Sequence, residues 1–97
     1  MQIARVIGST ISTIKDDKIK GSKLLVVQDS DHEGKEPLGI PYVAVDLVDA
    51  GEGDLVLTCH GSAARQTNLT KDCPVDAVIM GVLDSLYVDG EVVFQKA

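Results

Sequence analysis

The stretch Tyr42–His60, YVAVDLVDAGEGDLVLTCH, decides the fold class. Its first part alternates: Tyr42, Ala44 and Asp46 face one way, while Val43, Val45 and Leu47 face the other. That is the period of a strand with one side toward a core. DAGEGD follows as a tight glycine turn, in which Gly51 and Gly53 are expected to hold a backbone that larger residues cannot adopt. LVLTCH is again strand-like. Gly61 then breaks it, and Ser62 suits a helix N-cap for the single turn AARQ. Two strands, a glycine turn and one short helical turn make the chain predominantly β.

On the N-terminal side, Gln2–Ile14 (QIARVIGSTISTI) is rich in β-branched residues and reads as a long strand, with a bulge or bend at Gly8. KDDKIKG is a charged turn, and SKLLVVQ is a second strand whose continuous apolar centre suggests burial on both faces. DSDHEGKEPLGIP, with its acids, glycines and prolines, is a surface loop. On the C-terminal side, TNLTKDCP is polar loop. DAVIMGVLDSLYV reads as one bent strand around Gly81. Asp89-Gly90 between SLYV and EVVFQ is a strong hairpin signal. No internal repeat or low-complexity segment appears. Five or six strands at this spacing, with glycines inside the two longest, argue for a small all-β barrel of the oligonucleotide/oligosaccharide-binding (OB) type, with one short helical turn, over the single domain 1–97.

Composition limits the chemistry. A 97-residue chain with 44% hydrophobic residues is globular. A domain of this size buries only about 60–65% of its unfolded surface. Two cysteines are too few for a disulfide scaffold, so self-association is the expected supplement. The formal charge of −6 repels phosphate backbones. Stacking is limited to Tyr42, Tyr87 and Phe94, so no nucleic-acid partner is expected. No apolar run approaches the roughly 20 residues of a membrane span, and no signal peptide is evident. The protein is therefore expected to be cytoplasmic, with reduced cysteines.

Candidate catalytic and metal residues give way to simpler readings. His32, Cys59, His60 and Cys73 match no metal-ligand spacing, and neighbours Cys59 and His60 point to opposite faces of a strand. Cys59 reads as a small core residue and His60 as a surface one. A hydrolase built on His60 and Ser62 lacks the G-x-S-x-G elbow, and Ser62 has a capping role instead. The sequence thus implies no metal, no cofactor and no catalytic residue. Arg65 stands apart. Ala63 and Ala64 allow another backbone to come close, and an arginine beside them can make forked hydrogen bonds to a neighbour's carboxylate or carbonyls.

These segments also resemble a known family. GSAARQ at 61–66, GSTISTIKD at 8–16, GSKLLVVQ at 21–28, VAVDLVDAGEGDLVL at 43–57 and PVDAVIMGVLD at 74–84 resemble, in order, the EutN/CcmL family of vertex proteins from bacterial microcompartment shells. Asp49 stands where that family often has glycine. The resemblance implies a structural protein rather than an enzyme: an OB-like barrel assembled as a cyclic homo-pentamer, placed among hexameric shell proteins whose flat sheets cannot close alone. It also implies that Gly61, Ser62, Ala63, Ala64 and Arg65 lie at the subunit interface or pore rim. The tail DGEVVFQKA and the acidic loop look more like the catabolic metabolosome branch than the carboxysome branch. The alternative from the residues alone is a monomeric OB-like binding module for a small ligand or oligosaccharide. A small acidic enzyme using His60 and Ser62 is a third.

Overall fold

The structure is a computed structural model that describes residues 1–10, 23–61, 64 and 76–96. Among the described residues seven strands follow one another: β1 (Gln2–Ser9), β2 (Lys23–Asp29), β3 (Tyr42–Asp46), β4 (Leu55–His60), β5 (Ala77–Val82), β6 (Ser85–Val88) and β7 (Glu91–Gln95). The first five close into a barrel in the order β1-β2-β3-β5-β4. Strand β1 is paired antiparallel on both edges, with β2 and with β4. The β3–β5 pair, Val45 opposite Val78 and Asp46 opposite Ile79, is parallel. Closure gives each barrel strand two neighbours and leaves no long unpaired edge.

Alternation places the core. Ala4 and Val6 of β1, Leu25 and Val27 of β2, Ala44 of β3, Val56 of β4, and Ala77 and Ile79 of β5 meet inside with Ala50. As the sequence indicates, Ala44 points inward, Tyr42 packs partly against this cluster, and Val43 faces outward. In β2 only Leu25 and Val27 are fully buried; Leu24 and Val26 are half-buried. Leu24 lies on a second, outer cluster of Val45, Cys59, Ala64 and Val78.

Two bulges bend the barrel, both beside the glycines singled out above. Register slips between Val6 and Gly8, so Ile7 is the extra residue and stands 48% exposed. Opposite Leu57–Thr58, β5 carries Met80 as the extra residue before Gly81. Such bulges add bend and twist where a small barrel must turn its corners.

The C-terminal stretch departs from the sequence reading. Residues 77–88 are not one bent strand but two, β5 in the barrel and β6 outside it; the barrel itself has five strands, within the five or six expected, and the described residues hold two more in the ribbon. The break has a hydrogen-bonding cause. The Leu83 amide donates to the Leu55 carbonyl at 2.8 Å, while the Asp84 carbonyl accepts from the Lys96 amide at 2.7 Å. The chain thus leaves the barrel at Leu83 and folds on itself. Strands β6 and β7 form a separate two-stranded ribbon. Its turn residues Asp89 (φ 53°) and Gly90 (φ 80°) both take the left-handed conformation that a two-residue hairpin requires. For the first strand, Ile11–Ile14 fall outside the described residues.

Ile79 is fully buried among small neighbours. Ile79→Ala should therefore cost about 2–5 kcal/mol in urea unfolding, the range for core truncation to alanine.

Candidate functional site

The candidate site is built from the ends of β3 and β4 and the turn between them. At the end of β3, the Asp46 side chain is 1% exposed. Its carboxylate accepts from the Val48 amide at 3.0 Å and the Ala50 amide at 2.8 Å. Lys23, opposite Asp46 in β2, brings its Nζ within 3.4 Å of Asp46 and 3.3 Å of Asp49, and also donates to the Ala50 carbonyl. Burial works to lower the Lys23 pKa, but the hydrogen bonds to Asp49 and Asp46 outweigh it, so the net shift is upward. Asp49 takes a left-handed φ of 58°, which aspartate tolerates better than most residues. This accounts for a non-glycine residue at the position where the resembled family often has glycine. The signal for this clamp was in the alternation itself, because Asp46 falls on the same face as Ala44. A carboxylate on a core-facing position needs donors, and the next turn supplies them.

The turn that follows is held from several sides. Asp54 accepts from the Gly51 amide at 2.9 Å, and the Asp54 amide donates to the Gly51 carbonyl at 3.1 Å. Gly53 has φ +89°. Its amide donates to the Val6 carbonyl at 2.8 Å, and its carbonyl accepts from Arg5 at 2.7 Å. Gly51 lies outside the left-handed region, and a Cβ there would meet only the Asp54 carboxylate at 4.0 Å. Of the two glycines, then, Gly53 is the one whose backbone demands it. The other arm of Arg5 donates to the Gly34 carbonyl at 2.6 Å, so one guanidinium joins two loops. Sequence reading missed Arg5, because nothing near it in sequence marks its partners.

Past β4, Gly61 has φ +61° and donates its amide to the Asp76 carbonyl at 2.8 Å. Ala64 is fully buried against Val45, Cys59 and Val78 of its own subunit. The Ala64 side chain therefore leaves no exposed surface for a neighbour. Ser62, Ala63 and Arg65 lie outside the described residues, as does Cys73.

At the same end of β4, four polar side chains converge. The Tyr42 hydroxyl donates to Asp29 at 2.7 Å and lies 3.0 Å from the Thr58 hydroxyl and 3.1 Å from His60 Nε2. Since an ionised Asp29 only accepts, Tyr42 gives its proton there, and its oxygen accepts from Thr58 and His60. Burial, reinforced by Asp29 against the opposing Thr58 hydrogen bond, pushes the Tyr42 hydroxyl up to about 12. Asp29, Tyr42 and His60 line an open depression of about 540 Å³ with Met1, Gln2, Ile40 and Cys59, while Thr58 is buried beneath. His60 is exposed and Cys59 buried, as expected of neighbours on opposite faces. Among the described residues, no group of three or more His, Cys, Asp or Glu side chains is placed to hold a metal. His60 Nε2 lies 3.4 Å from the Thr58 hydroxyl as well as 3.1 Å from that of Tyr42.

Comparison with known proteins covers nearly the whole chain. The family described as ethanolamine utilisation protein EutN/carboxysome matches residues 1–84. The carboxysome shell vertex protein CcmL of Synechocystis is 41% identical over 99% of this chain and 95% of its own length. The bacterial microcompartment shell vertex protein EutN of Salmonella typhimurium is 38% identical over 99% and 96%. Among solved structures, the GrpN pentameric microcompartment shell protein from Rhodospirillum rubrum superposes with a TM-score of 0.79 at 36% identity, over 91% of this chain and 99% of that one. A carboxysome protein is thus at least as similar as an EutN protein, and the likeness does not favour the catabolic branch that the tail and acidic loop suggested.

Gly53→Val should destabilise the fold by about 1–3 kcal/mol in urea unfolding, because a β-branched residue is strained at that φ. Gly51→Ala should stay under about 1 kcal/mol. Tyr42 keeps its proton in the folded state above its ordinary value of 10.0. The stability this adds is fully present below pH 10.0 and is lost as pH rises toward about 12. In Tyr87→Phe, where Tyr42 is the remaining tyrosine, absorbance titration should give a midpoint near 12. Adding Asp29→Asn should move that midpoint down.

Proposed function

Because this chain belongs to the family of EutN and CcmL shell vertex proteins, we propose that it is a structural, non-catalytic component of a bacterial microcompartment shell, whose copies close into a ring of five at a vertex. The observation that carries this reading is end-to-end likeness: 41% identity to a shell vertex protein over 99% of the chain. The fold supports it physically. A small barrel with exposed apolar residues on its outside gains stability from neighbours. A ring uses head-to-tail contacts, in which one patch of each subunit meets a different patch of the next.

In this reading the partners are identical copies and, around the ring, the hexameric tiles of a cytoplasmic shell. The Gly61–Arg65 segment stands at the subunit boundary or the rim of the central opening. Ala64 packs on its own barrel, so the contact with the neighbour falls in this reading to Gly61, Ser62, Ala63 and Arg65. Arg65 there supplies forked hydrogen bonds across the boundary.

Native mass spectrometry of the purified protein should give a ring of five copies of the 10.3 kDa chain, about 52 kDa. Arg65→Ala should shift the population toward smaller species at the same concentration. A monomeric mass for the unaltered protein at every concentration overturns the shell reading and favours the monomeric binding module. An unchanged ring in Arg65→Ala removes Arg65 from the interface.

A further inference from the structure

The open depression beside Tyr42 presents acceptors that the subunit's own hydrogen bonds do not use. The Tyr42 hydroxyl gives its proton to Asp29 and accepts from Thr58 and His60. His60 therefore carries a hydrogen on Nε2, and its Nδ1 remains an acceptor. Among the described residues, Tyr42 is the one side-chain donor to the Asp29 carboxylate. No lysine or arginine among them forms an ion pair with it. Most of the acceptor capacity of Asp29 is thus open, together with its negative charge. The exposed Gln2, in the same lining, adds an amide oxygen.

These groups select a ligand by charge and by donor count. An anion would meet Asp29 with no lysine or arginine in the lining to offset it. A metal ion needs several converging ligands, and among the described residues no three His, Cys, Asp or Glu side chains are so placed. A primary ammonium fits both requirements, with one positive charge, three N–H donors and no acceptor. Asp29, His60 Nδ1 and the Gln2 amide oxygen match it in number, and the carboxylate makes one of the hydrogen bonds charge-assisted. A carbon chain on that ammonium has apolar cover too. Ile40 and Met1, both in the lining, stand 86% and 79% exposed. The Tyr42 and His60 rings lie 4.8 Å apart, and an aromatic face attracts a cation. The formal charge of −6 draws cations toward the protein from a distance.

We propose that this depression is a binding site for a small primary alkylammonium ion, held by Asp29, His60 and Gln2 with its carbon chain along Ile40 and Met1. Every group in it comes from one subunit, so the site does not depend on the ring. The probe is n-butylammonium chloride, added to the isotope-labelled protein at about pH 8, where histidine is ordinarily neutral and an alkylamine charged. The amide signals of Ile40, Tyr42 and His60 should shift saturably, with a Kd of about 1 mM for a ligand of so few atoms. The neutral isostere 1-butanol should bind about tenfold more weakly or worse. Asp29→Asn keeps an acceptor for Tyr42 but removes the charge, and should weaken butylammonium by about tenfold or more. Glu33→Gln removes the same charge outside the lining and should stay within about twofold. Circular dichroism checks that both variants remain folded. Shifts that never saturate, equal binding of 1-butanol, or undiminished affinity in folded Asp29→Asn overturns the proposal. Nα-acetyl-lysine methylamide carries the same ammonium on a peptide backbone. If it binds about tenfold tighter than butylammonium, the site takes a partner protein's lysine, and a free amine is overturned as its occupant.

Discussion

Closure of five strands on one another is the constraint from which the rest of the structure follows. A barrel this narrow admits only small and medium side chains. Its interior is accordingly lined by Ala4, Val6, Leu25, Val27, Ala44, Ala50, Val56, Ala77 and Ile79, with no aromatic ring at its centre. Aromatic residues bring the largest apolar areas to a core. Here Tyr42 lies at the barrel's edge, while Phe94 and Tyr87 belong to the ribbon. The barrel closes its backbone ladder completely but buries a modest apolar area for its surface. Further apolar residues lie outside that interior, among them the cluster with Ala64 and the exposed Val43, Tyr87 and Val92.

What the core lacks in bulk is complemented by polar clamps on the loops. Asp46 satisfies two amides of its turn while holding Lys23. Asp54 closes the next turn, and Arg5 ties the carbonyls of Gly53 and Gly34 together. Asp31 does the same in the surface loop. Its carboxylate accepts from the Lys35 and Glu33 amides, and the Lys35 hydrogen bond leads the causes that hold its pKa below the usual value. These contacts fix the shape of the barrel's ends. Among the described residues, no buried side-chain nitrogen or oxygen lacks a partner. A rigid scaffold of this sort suits a building block, whose task is to present faces at fixed angles.

The parts of the fold that were legible in the sequence are those governed by local rules. Alternation placed Ala44 inward and Val43 outward, Asp89-Gly90 gave the hairpin, and the glycines at 8 and 81 lie beside the two bulges. The parts that were not legible depend on contacts distant in sequence. The end of β5 at Leu83 is set by a hydrogen bond to Leu55, and the apolar pattern of residues 77–88 runs through that break without a sign. Arg5 finds its partners 29 and 48 residues away. Ala64 looked like a place for a neighbour to approach, because a small residue reads the same whether another subunit or the chain's own barrel fills the space beside it.

In a ring of this kind the stability of each subunit depends on its neighbours. The direct measurement is the urea midpoint of unfolding at protein concentrations spanning two orders of magnitude. If association completes the fold, mass action makes the midpoint climb steadily with concentration. A midpoint that stays fixed across the whole range would show that each barrel is stable alone, and would contradict the account.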